Sequence, residues 1–341
     1  VTGALVTRWH DQPPRSWEDL LDHDVHASPA QRAGFVLAVA ATCPGYAARF
    51  VTVERDGVVV GGAPLVIERR AGLHWLHALP WLLPGTPLVR DADYDEVARA
   101  VAGAFAELPV VGGEWVLHRP RDPERDPSVA ARLPGETRRL HTAIVDLAAG
   151  ADAASRRLDR HARQELALAR RRGLVVREDP DRLEETYALH GRQARNWGGH
   201  RPPPLELLRR LVGGPGERDP LARLFVAADG GGMLASVLVL VHRHEWFAWW
   251  SGTHPDARRH HAFGFLLWEV AMQAAASGAD RFNLGSSAGI GGVEGFKRSL
   301  GAQLVSTPVR WIAPHHAGVV GRTIAALQSR VRRGRDRGTS A

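Results

Sequence analysis

Apolar positions alternate with polar ones over Phe50–Glu54 and Val58–Val66, and the two runs meet at Asp56-Gly57, the dipeptide most suited to a tight hairpin. This predicts an antiparallel pair at the start of a core. From Asp95 to Leu108 the period lengthens: Val97, Val101, Ala104, Phe105 and Leu108 share one helical face, and Glu114–His118 reads as the strand that follows. Residues 119–136 are crowded with proline, arginine and acids and predict a loop, after which Thr142–Leu147 resumes alternation. In the second half, Leu158, Ala162, Leu166 and Ala169 form a helical stripe, followed by a strand at Leu174–Glu178 and a helix at Leu183–Arg195. Strands at Leu224–Ala228, Leu234–His242 and Glu245–Ser251 predict an antiparallel meander. A helix from Ala262 to about Ser277, stopped by Gly278, precedes a strand at Arg281–Gly285. Strand, crossover helix and strand in succession predict a parallel pair beside the meander.

Length and composition narrow the class. At 341 residues the chain has room for about two domains, and 44% hydrophobic with 24% charged residues is ordinary for a globular protein. The longest apolar stretches, near Phe35–Thr42 and Phe263–Met272, fall short of the roughly 20 residues a bilayer crossing needs. Val1–Gln12 has no export-type apolar run, so a cytoplasmic location is expected. A single cysteine, Cys43, and 17 histidines without zinc-type spacing predict neither an internal disulfide nor a structural metal.

The net charge of +7 comes from two segments. Residues 155–173 carry seven arginines (Arg156, Arg157, Arg160, Arg163, Arg170, Arg171 and Arg172) against Asp159 and Glu165, and the chain from Ala317 carries six against Asp336. One face of the first segment packs and the other attracts anions, which suits either a solvated arginine face or a phosphate-binding one. The basic tail, 317–341, is expected to be flexible.

Lys297 is the one lysine in the chain; every other basic residue is arginine. It stands in Phe296-Lys297, downstream of Gly278-Ala279-Asp280-Arg281-Phe282-Asn283-Leu284-Gly285 and Gly292, and upstream of Leu300-Gly301-Ala302. With the basic helix ending in Arg172-Gly173 and the segment Tyr187–Pro204 around Arg195 and Trp197, this succession resembles the GNAT acyltransferase superfamily, more closely its Fem-type branch. The resemblance spans nearly all of residues 1–315 and implies an α/β (α+β) fold of two tandem GNAT-like domains, each a mixed, mostly antiparallel sheet flanked by helices. The expected division is 1–149, 150–316 as the catalytic domain, and the tail 317–341.

The resemblance implies amide formation: an amine attacks an activated acyl carbonyl and the carrier leaves. No bound cofactor is implied. The expected co-substrate is aminoacyl-tRNA, with acyl-CoA as the alternative, and the expected acceptor is an amine-bearing small molecule or a peptidoglycan-type precursor. The length leaves no room for the long coiled-coil arm of some members, which favours a small-molecule acceptor, and a monomer is expected. The GNAT pyrophosphate pattern at a helix N-terminus is matched by Arg259-His260-His261-Ala262-Phe263-Gly264, with Ala262 where the pattern has its first glycine, a departure that counts against a coenzyme pyrophosphate.

Carried over residue by residue, Lys297 is the expected catalytic group, a compact cation for the oxyanion that forms on the attacked carbonyl. Phe296, Asn283, Ser286, Ser287, Trp250 and Arg195 are expected substrate contacts, and Arg156, Arg160, Arg163, Arg170, Arg171 and Arg259 are expected to hold tRNA or phosphate. Gly285–Gly295 is glycine-rich without the P-loop order and reads as a flexible lid. Strand alternation sends Trp249 and Trp250 to opposite faces. No carboxylate or histidine is marked by spacing as a general base. A reading of another class, an RNA-binding module without catalysis, rests on the arginine patches alone and lacks a zinc-finger, helix-turn-helix or RNP signature.

Overall fold

The computed structural model describes residues 3–123, 131–195, 202–212, 219–287 and 289–312. Trp197, most of Gly198–Pro204 and the basic tail 317–341 lie outside the described residues. In chain order the elements are β1 (Leu5–His10), α1 (Trp17–His23), α2 (Ala33–Thr42), β2 (Tyr46–Arg55), β3 (Val58–Arg70), β4 (Leu73–His77), β5 (Leu88–Val89), α3 (Tyr94–Ala106), β6 (Val110–Val116) and β7 (Glu136–Asp146). They continue as α4 (Gly150–Arg156), α5 (Arg160–Arg171), β8 (Val175–Glu178), α6 (Leu183–Ala194), α7 (Leu205–Val212), β9 (Ala222–Asp229), β10 (Gly232–Val241), β11 (Glu245–Thr253), α8 (Ala262–Ala276), β12 (Arg281–Ser286), α9 (Gly291–Ser299) and β13 (Gln303–Ile312).

Two compact units are formed, interleaved in sequence: the first takes residues up to Asp24, Pro44–Arg139 and the strand residues from Thr307, the second Val25–Cys43 and Leu140–Ser306. In the first, β1, β2, β3 and β4 pair antiparallel in turn, β4 pairs parallel with β6, and β6 pairs antiparallel with Val309–Ile312 of β13. In the second, β8, β9, β10 and β11 form the antiparallel meander, β11 runs parallel to β12, and β12 pairs antiparallel with Thr142–Asp146 of β7. Each unit is therefore a mixed sheet with one parallel pair, and the parallel pair encloses a crossover helix, α3 or α8, as a parallel connection requires. That repeated plan is an α/β architecture of two units built alike, as the sequence predicts.

Local chemistry accounts for the element ends. Asp56 and Gly57 both take positive φ, 52° and 79°, and turn β2 into β3 as a hairpin loop of this length demands. The Asp93 carboxylate caps α3 by accepting from Asp95 N–H at 2.9 Å and Glu96 N–H at 3.1 Å. The arginine-rich stretch is two helices, because Asp159 breaks it and accepts from His161 N–H at 2.7 Å as the N-cap of α5. Gly278, at φ 86°, ends α8.

The core of the second unit joins Ala162, Leu166 and Ala169 of α5, Phe265, Leu266 and Val270 of α8, and Phe225, Val237 and Phe282 from the sheet. Residues 25–43 are tied to this unit by Arg281, 3% exposed, which donates to Glu245 Oε2 at 2.6 Å, Val25 C=O at 2.6 Å and Ala27 C=O at 2.7 Å. Each of the three guanidinium nitrogens thus has an acceptor, and the Glu245 carboxylate, 0% exposed, is neutralised by it.

Two expectations are corrected. Gly291–Ser299, half of the supposed lid, is the helix α9. Trp249 and Trp250 do not part to opposite faces: the β10–β11 register jumps from Leu238↔Trp250 to Val239↔Ala248, so Trp249 is an extra, bulged residue. Trp249 meets Phe35 of α2 edge-on at 5.7 Å and Trp250 packs on Tyr187 and His190 of α6, helices that both contact α7.

Candidate active site

The second unit contains a cavity of about 800 Å³ at the N-terminal end of α8. Its lining comes from five places: Glu165 of α5, Arg192 and Gln193 of α6, Thr253 and His254 at the end of β11, Arg258, His261, Phe263 and Gly264 at the start of α8, and Gly292 and Phe296 of α9. The entry to α8 is unusual. His261 takes φ 55°, ψ 25°, a left-handed conformation that costs a residue with a side chain about 1–2 kcal/mol. The His261 carbonyl accepts the first helical bond, from Phe265 N–H at 3.1 Å, so the first-turn N–H groups ahead of it have no helical acceptor. Two residues of that turn, Phe263 and Gly264, line the cavity, and the positive end of the helix dipole faces it.

Ala262, the departure from the pyrophosphate pattern, is 0% exposed and belongs to the core. Its methyl group is turned away from the cavity, so alanine there costs an approaching phosphate nothing.

Phe296 reaches the cavity from α9, stacked on Phe263 at 6.0 Å and 17°. The next residue, Lys297, is 8% exposed and does not line the cavity; its Nζ donates to Gly285 C=O at 3.0 Å and Ser286 C=O at 2.9 Å, at the end of β12. An ammonium has three donors, so one remains beyond these two. Burial pushes the Lys297 ammonium down to about 8, partly opposed by the Glu294 carboxylate. A cation held this way by two carbonyls is poised to strengthen its third bond to any oxygen that gains negative charge.

The strand end beneath it is fixed from the other side. Asn283, fully buried, donates to Glu245 Oε1 at 3.3 Å and accepts from Gly285 N–H at 2.8 Å. The β11–β12 pairing ends at Phe247↔Asn283 although both strands run on, which opens the sheet at Gly285 and Ser286. Ser286 is exposed, whereas Ser287 is 3% exposed with its hydroxyl buried and unpartnered. The Trp250 indole N–H is likewise buried without a partner. Arg195 sits exposed at the end of α6, outside the cavity, where Arg192 takes the place expected of it.

The arginines separate into two groups. Arg163 is committed to the protein, donating to the Arg156 and Leu158 carbonyls at 3.0 and 2.7 Å, and Arg170 pairs with Glu269 of α8. Arg259 lies 3.5 Å from Asp256 and its carbonyl accepts from Arg172. The side chains of Arg156, Arg160 and Arg171 are exposed and form no hydrogen bond or ion pair among the described residues, so they are available to an anion. The residues that sequence reasoning missed, Glu165, Arg192, His254, Arg258 and His261, come from four separate segments, and only the run Arg258-Arg259-His260-His261 carried a local sign of them. Among the described residues no cluster of histidine, cysteine and carboxylate could hold a metal, and no helix is long and apolar enough to cross a membrane.

Residues 154–298 match the acetyltransferase (GNAT) domain family. The second unit thus carries a match to the acetyltransferase (GNAT) domain over most of its length. The chain's fold is also similar to the crystal structure of FemX, at TM-score 0.67 and 13% identity, over 88% of this chain and 96% of that one. A conserved protein of unknown function from Bacteroides thetaiotaomicron gives TM-score 0.57 at 10% identity, over 90% of this chain and 99% of that one. The C-terminal DUF2156 domain of an Agrobacterium fabrum protein named as a lysylphosphatidylglycerol synthetase gives 0.50 at 16%, over 79% and 84%. Comparison with curated proteins gives no match.

Proposed function

We propose that the second unit transfers an aminoacyl group from aminoacyl-tRNA to the amine of a small molecule or a peptidoglycan-type precursor, forming an amide. The observation that carries this is the set of free cations on and just before α5, the helix that also sends Glu165 to the cavity. Glu165 of α5 lines the cavity, and the same helix, about 18 Å long at 1.5 Å per residue, has unpaired Arg160 and Arg171 near its ends with Arg156 just before it. A coenzyme gathers its phosphates in one or two places, whereas an RNA backbone runs past a long positive face. The terminal acyl ester then reaches the cavity, Phe296 stacks against the terminal base or the acyl group, and Asn283, Ser286, Ser287 and Trp250 shape the opened strand end.

Lys297 acts on the carbonyl. The attacking amine drives electrons onto the carbonyl oxygen, and the free N–H of the Lys297 ammonium meets that oxygen as it charges. Because the donor ester is already activated, positioning and charge stabilisation supply most of the acceleration. A tRNA donor goes with a cytoplasmic site of action, and a cavity whose described lining comes from one unit goes with a monomer.

One observation favours a second donor. Ala262 leaves the first turn of α8 open to a pyrophosphate, so an acyl-CoA thioester fits the same cavity. The test is donor dependence: the purified protein is given a charged tRNA pool or a CoA thioester panel with candidate amines, and products are weighed by mass spectrometry. Amide formation abolished by ribonuclease supports the tRNA donor. Formation that survives ribonuclease and requires the thioester replaces it with CoA, and RNA binding without any product leaves only the binding module.

A further inference from the structure

We propose that His261 is the general base of the transfer and that Glu165 positions it. This rests on the acyl-transfer reading above and adds the proton path that reading lacks. His261 Nδ1 lies 3.1 Å from Glu165 Oε1, and the same oxygen lies 3.2 Å from His161 Nε2. Glu165 and His261 both line the 800 Å³ cavity. With the Glu165 carboxylate beside Nδ1, the tautomer that carries its proton on Nδ1 leaves the lone pair on Nε2, which has no hydrogen bond among the described residues. The backbone is a second, independent sign. His261 holds φ 55°, where glycine would sit without strain, and a strained residue with a side chain at a cavity wall marks a side chain that is needed.

The charges facing the imidazole come from every element around it: Glu165 and, behind it, His161 from α5, Arg192 from α6, His254 from the end of β11, and Arg258 from the turn before α8. The Glu165 carboxylate, 3.1 Å away, faces the imidazolium that forms during reaction. On the α9 side of the cavity stands Phe296, the chain neighbour of Lys297, whose ammonium lies behind that wall at the end of β12.

The step balances as follows. The amine lone pair forms the C–N bond, the carbonyl π pair moves to oxygen beside Lys297, and His261 Nε2 takes the proton released by the nitrogen. The oxyanion then restores the C=O bond and expels the oxygen or sulfur of the donor, which receives the proton from Nε2. Histidine ends neutral, and the products are the amide and the free carrier.

The informative variant is His261→Gly, because glycine suits φ 55° and removes the imidazole without disturbing the helix entry. Its thermal midpoint should equal or exceed that of the wild type, its turnover should fall about 10²-fold, and added imidazole should restore part of it. Glu165→Gln should retain more turnover than His261→Gly and lose it in kcat with the donor KM unchanged, a split that mere packing does not produce. Wild-type kcat in folded His261→Gly, or a loss that imidazole never rescues with the Glu165→Gln defect confined to KM, overturns the assignment. The wild-type protein is the control: no amide from any donor overturns the acyl-transfer reading itself, whereas an active wild type with an unaffected His261→Gly removes only the base.

Discussion

Replacing Lys297 with methionine keeps the length of the side chain and removes all three donors. Two opposing effects set its stability. The carbonyls of Gly285 and Ser286 lose partners at 3.0 and 2.9 Å, at about 1–3 kcal/mol each. Against this, the variant no longer buries an ammonium, whose displacement from 10.5 to about 8 corresponds to at most about 3 kcal/mol. Together these leave the variant between about 1 kcal/mol more stable and about 6 kcal/mol less stable than wild type. Turnover behaves differently. If the third N–H meets the oxyanion, its loss costs about 10²-fold or more, equivalent to about 2.7 kcal/mol of barrier. The assay is amide formation per folded molecule, with folding followed by circular dichroism on the same samples. A folded Lys297→Met protein that works within about threefold of wild type refutes the reasoning.

The same group fixes a pH dependence with a definite sign. The protonated form is the active one, so wild-type turnover should fall as pH rises through about 8, and Lys297→Met should lack that limb. Stability moves the other way. Between about 8 and 10.5 the unfolded chain holds a proton that the folded one has lost, so this group's contribution to the wild-type unfolding free energy rises with pH across that window and is absent from the variant.

Three further outcomes are expected. Gly264→Leu puts a branched side chain into the cavity, 3.4 Å from the Phe296 ring at its first carbon, and should raise the donor KM at least about tenfold while leaving the fold intact, as steady-state kinetics would show. Arg156, Arg160 and Arg171 replaced together by glutamine should weaken RNA binding and reduce the slope of log K against log salt by about 2, read by filter binding at several salt concentrations. Glu245→Ala leaves Arg281 buried without its carboxylate and should cost about 3–5 kcal/mol in urea unfolding; a loss under 1 kcal/mol would contradict the clamp on residues 25–43.

The meander, the crossover helix α8 and its parallel neighbour β12 were legible because each buries one face of fixed period, and period survives in sequence whatever the partner. The Asp56-Gly57 turn was legible because few dipeptides accept two successive positive φ angles. What escaped has equally physical reasons. α2 is apolar on nearly every side, so its period says nothing, and its attachment to the second unit depends on Arg281, more than 230 residues away in sequence. The bulge at Trp249 shifts the register by one residue and turns Trp250 toward α6, a change alternation cannot anticipate. α9 hid among glycines, which are poor helix formers, although Phe296 and Lys297 within it were picked out. The cavity was the least visible part: Glu165, Arg192, His254 and His261 converge from α5, α6, β11 and the α8 entry, and no spacing in the chain records that convergence.

The central claim is that the acyl group is transferred in the cavity at the start of α8, and photo-crosslinking locates it directly. A donor carrying a diazirine in its acyl chain is bound and irradiated, and the labelled peptides are mapped by mass spectrometry. Labels within residues 253–264 and 292–296 are the predicted result. Labels confined to residues outside the lining of that cavity, with the protein folded and the donor saturating, would contradict it.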